Sequence, residues 1–308
     1  MTDKNNFELR EDIKKVLDAC EKVMFGMSHV TKLIIISMIC DDHILLEDVP
    51  GTGKTKLTKT IAKVLDLDFK RIQGTPDLLP GDLTGVNIFD QSDNKFHFVQ
   101  GPIFTNVLLF DEINRASPKT QSALLESMEE RQVSVDNETY KLDNLFFVIA
   151  TQNPVEFIGT YPLPQAQLDR FLIKTRIGYP TRKVEKKIMT QKEIDLDDIE
   201  LPKLQKKIIT KWQREFEKVF IKDDVLEKLL NVFEKSRQKS KFFLGISPRS
   251  GKKLIRALKA NAYIHKREYV TKDDIFELFI PVMLHRVYGV NRGEEETILK
   301  LMIQDENF

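Results

Sequence analysis

Cysteine is scarce in this chain. Cys20 and Cys40 are the only two among 308 residues, too few for a disulfide scaffold or a four-ligand zinc site. Two reduced thiols are the expectation for a protein of a reducing compartment. Tryptophan occurs once, at Trp212, where it reads as part of a helix rather than a platform for stacked bases. His29, His43, His97, His265 and His285 are dispersed without metal-ligand spacing. Long apolar runs are missing too. The longest mainly apolar stretch, Leu33–Cys40, has eight residues, against the ~20 that a spanning helix needs. The opening Met-Thr-Asp-Lys-Asn-Asn lacks the apolar segment of a secretory leader, so a cytoplasmic location is expected. Repeats and low-complexity linkers are absent. Apolar residues make up 41% and charged residues 31%, which excludes a disordered or collagen-like chain and allows about two domains.

Net charge is +1, but it is unevenly spread. Residues 1–180 hold 20 Lys and Arg against 26 Asp and Glu, and residues 181–308 hold 28 against 21. The basic excess is scattered among acids rather than clustered, which disfavours a nucleic-acid interface.

Short apolar runs alternate with helical patterns up to residue 180. Ile44–Asp48, Phe69–Gln73, Val107–Phe110, Leu145–Ala150 and Phe171–Ile177 read as buried strands. Buried strands alternating with helices predict a five-stranded parallel sheet covered on both faces. Two stretches break that rhythm with period-2 alternation. Val86 and Ile88 face Phe96 and Phe98 across a turn, and Val133 and Val135 face Tyr140 and Leu142 across Asp136-Asn137. Both predict inserted β-hairpins. Ser117 and Pro118 open a helix carrying Leu124, Leu125 and Met128. After Tyr179-Pro180 strand signals almost vanish. Helical stripes follow at Leu226, Leu229, Leu230 and Phe233, then at Leu254, Ile255, Leu258 and Tyr263. Thr271 caps a third helix with Ile275, Leu278 and Phe279. The expected division is an α/β domain over residues 1–180 and a helical domain over 181–308.

Pro50-Gly51-Thr52-Gly53-Lys54-Thr55 lies between the first strand and an amphipathic helix. Glycines let successive backbone N–H groups turn toward phosphate oxygens, and the helix N-terminus adds its dipole. Lys54 would reach the β- and γ-phosphates and Thr55 would ligate Mg²⁺. The phosphate-loop pattern asks for glycine at position 48, where this chain has Asp48; that position only enters the loop. Val107–Phe110 ends in Asp111-Glu112. Adjacent carboxylates at a buried strand end are costly unless a cation or a reacting water sits there. Asp111 would hold Mg²⁺, and Glu112 would act as general base on water. Together these elements predict a nucleoside triphosphatase.

Longer strings add a resemblance. Thr75–Asp82, Asp111–Ala116, Lys119–Glu126, Gly159–Pro164, Gln167–Phe171 and Ser247-Pro248-Arg249 resemble the MoxR family of AAA+ ATPases over nearly the whole chain. The resemblance implies an α/β P-loop AAA+ domain followed by an all-α lid, with ATP and Mg²⁺ as ligands. It implies that Asn153 orients the water, a turn at Asn153-Pro154 being the plain alternative. It implies that Arg170 is an arginine finger reaching a neighbouring subunit, the alternatives being a local salt bridge or a finger at Arg131. It implies that Arg249 reaches the nucleotide of its own subunit, and that Phe25 and Gly26 close over adenine. The two hairpins match inserts of the branch that includes magnesium-chelatase ATPase subunits and minichromosome-maintenance helicases, or are plain surface hairpins. A hexameric ring and a protein client, one containing a von Willebrand factor A domain or receiving a metal cofactor, are implied as well. A nucleic-acid motor or loader and a non-hydrolysing scaffold are the competing readings; neither hairpin is basic, which lowers the first.

Overall fold

The structure is a computed structural model and describes residues 8–47, 53–153, 159–190, 195–196, 198–291, 293–306 and 308. The chain opens with α1 (Glu11–Val23), α2 (Ser28–Ile39), β1 (His43–Glu47), α3 (Lys54–Val64), β2 (Phe69–Gln73) and the short α4 (Pro80–Thr84). The hairpin β3 (Gly85–Asp90) and β4 (Lys95–Gln100) leads to β5 (Val107–Asp111) and α5 (Pro118–Glu130). A second hairpin, β6 (Gln132–Val135) and β7 (Glu138–Lys141), precedes β8 (Phe147–Gln152), α6 (Gln165–Leu168) and β9 (Phe171–Arg176). Six helices follow: α7 (Arg182–Thr190), α8 (Lys207–Glu215), α9 (Asp223–Ser236), α10 (Pro248–Ile264), α11 (Lys272–Met283) and α12 (Glu295–Asp305).

Five strands form one parallel sheet in the order β2-β5-β8-β1-β9. Successive side chains point to opposite faces of a strand, so each buried strand feeds two cores. Ile44, Leu46, Val107, Leu109 and Ile149 face α1, α2, α3 and the later helices. Leu45, Leu108, Phe110, Val148 and Ala150 face α5 through Leu124, Leu125 and Met128. α2 is apolar all round because it is covered on both sides, by the sheet and by α8 and α10. Trp212 of α8 is fully buried, and its indole N–H donates to Asp12 of α1 at 2.8 Å.

Ser117 caps α5 by accepting from the Thr120 N–H, and Thr271 caps α11 in a reciprocal box with Asp274. Two details differ from expectation. Leu230 points outward, while Leu229, Val232 and Phe233 form the buried stripe of α9. The helical part also holds a small antiparallel pair, β10 (Phe242–Leu244) with β11 (Tyr288–Gly289). Such short strands leave no periodic signal. Among the described residues, no helix is long and apolar enough to cross a membrane.

Candidate active site

Because the sheet is parallel, the C-terminal ends of β1, β5 and β8 lie on one edge. Gly53 starts α3 there at φ +82°. A side chain at this position would be strained, and its Cβ would lie 2.0 Å from Met24 Cε. Lys54 and Thr55 occupy the first turn of α3, where backbone N–H groups have no intrahelical partner. Pro50, Gly51, Thr52 and Asp48 lie outside the described residues. Phe25 and Gly26 follow Met24, whose side chain is the one beside Gly53. The Phe25 ring sits 5.3 Å from Lys187 Nζ, and Gly26, at φ +77°, packs against Val184 of α7.

The neighbouring strand end carries the two acids. The Thr151 hydroxyl of β8 donates to Asp111 Oδ1 at 2.6 Å and accepts from the Glu112 N–H at 2.9 Å. Arg71 of β2 donates to Asp111 Oδ2 at 2.7 Å. Gln73, opposite Asp111 in register, donates to Glu112 Oε2 at 2.7 Å, and Arg115 Nε lies 3.2 Å from the same oxygen. Glu112 has left-handed backbone angles, φ 55° and ψ 52°, uncommon for a residue with a side chain. Gly74 lets this turn form: a Cβ there would sit 2.3 Å from the Glu112 carbonyl oxygen. Asn153 follows β8 and is buried, with its carbonyl facing Asn114 Nδ2. Glu47, the last residue of β1, binds Lys174, Gln152 and Arg176. Burial pushes its carboxyl upward, but these partners outweigh that and hold it below the usual range.

This edge therefore gathers Gly53, Lys54, Thr55, Asp111, Glu112, Asn153, Phe25 and Gly26. Hydroxyl and carboxylate oxygens are the donor set that a hard cation such as Mg²⁺ prefers. Thr151, Gln73 and Arg71 are additions that sequence reading misses.

Arg170 is elsewhere. It immediately precedes β9, and Phe171 pairs with His43 at the start of β1. The length of β1, four steps of ~3.3 Å or about 13 Å, therefore lies between it and the strand end at Glu47. Its guanidinium meets Glu129 Oε2 at 2.9 Å and the Leu125 carbonyl. Arg249, expected at its own subunit's nucleotide, is not brought there. It lies beside Arg170, 3.1 Å from Glu129 Oε1 and 3.7 Å from Asp169 Oδ2. The helical part packs along the edge where β9 begins, and Arg249 sits there. Arg131 caps α5 and binds Asp41 and the Phe146 carbonyl. Open clefts of about 370 and 520 Å³ flank Arg170.

The hairpins lean on one another. Phe98 stacks on Tyr140 with ring centroids 3.9 Å apart, and Asn87 donates to Asp136 at 2.9 Å. Val86, Ile88, Phe89, Phe96 and Val99 remain exposed.

Residues 43–173 match the family described as ATPases associated with various cellular activities, and residues 234–301 match the AAA lid domain. The uncharacterised protein YeaC of Bacillus subtilis is 45% identical over 282 residues, covering 91% of this chain and 88% of its own. Chaperone MoxR1 of Mycobacterium tuberculosis is 35% identical over 289 residues, covering 89% of this chain and 75% of its own. The crystal structure of an ATPase candidate from Cytophaga hutchinsonii superposes with a TM-score of 0.86 at 38% identity, covering 95% of this chain and 93% of its own.

Proposed function

The chain belongs to the MoxR family of AAA+ ATPases, and from that membership we propose that it hydrolyses ATP between subunits of a ring to remodel a partner protein complex. One observation carries this reading. The cradle and acids occupy one end of the sheet, and the paired arginines Arg170 and Arg249 occupy the other. A single chain cannot close the charge around a γ-phosphate with those arginines, whereas head-to-tail packing in a ring can.

In this reading residues 50–53 wrap the phosphates, Lys54 neutralises the β- and γ-oxygens, and Phe25 and Gly26 border the base. Thr55 and Asp111 would hold Mg²⁺, which supplies charge neutralisation at the phosphate oxygens. Water adds to the γ-phosphorus and the bond to the bridging oxygen of ADP breaks. Glu112 takes the proton from that water, and Asn153 orients it. Arg170, with Arg249 beside it, enters from the neighbouring subunit and meets the charge that builds on the transferring group. Glu129 is a half-exposed counterion, and exposed ion pairs are worth ~0–1 kcal/mol. A phosphate group can therefore displace it.

The exposed apolar residues on the first hairpin fit a protein client better than a polyanion. A von Willebrand factor A domain partner, or delivery of a metal cofactor to an enzyme, is the form of work that the family resemblance implies.

The test is turnover against concentration, followed by mixing. Turnover per chain should rise as subunits assemble. Arg170→Ala should bind ATP but turn over about 10³-fold or more slowly, the usual worth of an arginine finger. Adding Lys54→Ala subunits, which carry an intact finger, should restore activity. No restoration in mixed assemblies that demonstrably form would overturn the inter-subunit assignment.

A further inference from the structure

We infer that Arg286, in the 3-10 turn after the lid's α11, is a positioning residue for Arg170, so that the lid of one subunit sets the cation offered to the next. This rests on Arg170 acting across the interface, as proposed above.

Arg286 is only 4% exposed. Its Nε donates to Asp169 Oδ1 at 2.7 Å, its Nη1 to the Leu172 carbonyl at 3.0 Å and to the Val282 carbonyl, and its Nη2 to the carbonyls of Asp169 and Phe171. A buried guanidinium is costly unless all its N–H groups are used, and here every nitrogen is engaged. Four of these acceptors lie in residues 169–172, the turn and strand entry that carry Arg170. Two further lid contacts hold this segment and the α6 residue before it. Gln165 donates to the His285 carbonyl, and Lys253 Nζ reaches the Arg170 carbonyl at 3.5 Å while pairing with Asp42 at 2.8 Å.

The Arg170 backbone is thus fixed from the lid, while its side chain is 31% exposed and held by half-exposed Glu129. That is the division a finger needs: a rigid base and a guanidinium able to change partners. Asp169 also links Arg286 to Arg249, whose Nε faces the other carboxylate oxygen. Movement of the lid would carry residues 169–172 with it, and with them the arginine aimed at the neighbour.

Arg286→Lys keeps the charge and removes the planar fork. The variant should bind ATP as the parent does and turn over about 10²-fold more slowly, the cost of a misplacement near 1 Å. Because the fault lies in what the subunit gives its neighbour, Lys54→Ala subunits should restore activity, as they do for Arg170→Ala. The double variant Arg170→Ala/Arg286→Lys should be no slower than Arg170→Ala alone. Turnover of Arg286→Lys within twofold of the parent would overturn the inference. So would a loss that mixing leaves unrestored while Arg170→Ala is restored in the same series. If Arg170→Ala itself is not restored, the inter-subunit reading fails and this inference falls with it. Should Arg286→Lys not fold, Asp169→Asn keeps an oxygen for Arg286 Nε and drops the charge. It should lose about tenfold, again restored by mixing, and unchanged turnover would overturn the inference.

Discussion

One hydroxyl, that of Thr151, serves both acids at the strand end. It holds Asp111 by donating and the Glu112 backbone by accepting. Thr151→Val keeps the shape and removes both bonds. Turnover should fall about 10–100-fold, the usual cost of losing a group that orients a ligand. Steady-state ATPase measurements on a variant of native-like circular dichroism would show it. Glu112→Gln differs in kind. Its amide oxygen can still accept from Gln73, so the turn should survive and ATP affinity should stay within a few-fold of the parent. Turnover should be lost, because an amide cannot take the proton from water. Hydrolysis within threefold of the parent would contradict the role. Asp111 and Glu112 are legible in the sequence because a buried strand rarely ends in two acids without reason. Thr151 is not, because a threonine in a strand is ordinary until its neighbour across the sheet is known.

Elements were legible in proportion to how local their signal is. Parallel strands buried on both faces, such as β1 and β5, read as continuous apolar runs, and the edge strand β2 occupies the residues expected although only Ile72 in it is buried. β8 starts two residues later than its apolar run. The Asn106 side-chain N–H donates to the Leu145 carbonyl and its backbone carbonyl accepts from the Phe147 N–H, so Leu145 and Phe146 serve as the approach. The strand then continues into Thr151 and Gln152, which pair with Leu46 and Glu47. α1 and α2 have no counterpart in the sequence reading. α2 is apolar on every side, and a continuous apolar run does not distinguish a buried helix from a buried strand. At this scale Gly74 joins β2 to the acid turn. Gly74→Ala should cost about 1–3 kcal/mol, because the clash is with backbone rather than a side chain that can yield. It should also depress ATPase activity. Ser117→Ala should cost about 1 kcal/mol through loss of the α5 cap, with turnover unchanged. Urea unfolding and ATPase measurements on both variants separate a turn that shapes the site from a cap that supports the fold.

Across the whole molecule, two buried histidines tie stability to pH. His43 Nδ1 accepts the Val148 N–H, which requires the neutral ring, while its Nε2 donates to the Met128 carbonyl. Burial, then the charge of Arg131, lowers its pKa to about 3. Burial and the adjacent Arg286 hold His285 well below its ordinary value. The unfolded chain binds these protons near pH 6.5, and the folded one does not. Their stabilisation is therefore present above about pH 6.5 and is lost as pH falls toward 3, at up to about 1.4 kcal/mol per pH unit for each ring. Melting temperatures at pH 7.5, 6.5 and 5.5 should fall in that order, and His43→Asn should flatten the trend. A melting temperature independent of pH over this range would contradict the buried neutral state.

The sequence by itself determined the Gly53-Lys54-Thr55 helix start, the acid pair that ends β5, the α/β half with its hairpins, and the helical half. Each of these depends on residues close together in the chain, whose spacing reports strand, turn or helix directly. Only the tertiary structure decided which end of the sheet each arginine occupies. Arg170, Arg249 and Arg286 are brought together by the parallel strand order and by the docking of the lid beside β9, between segments as much as 117 residues apart. Ion pairs of that reach have no periodicity to read. They form where the backbone happens to converge, and burial then decides which of them is held fast and which is left free to change partners.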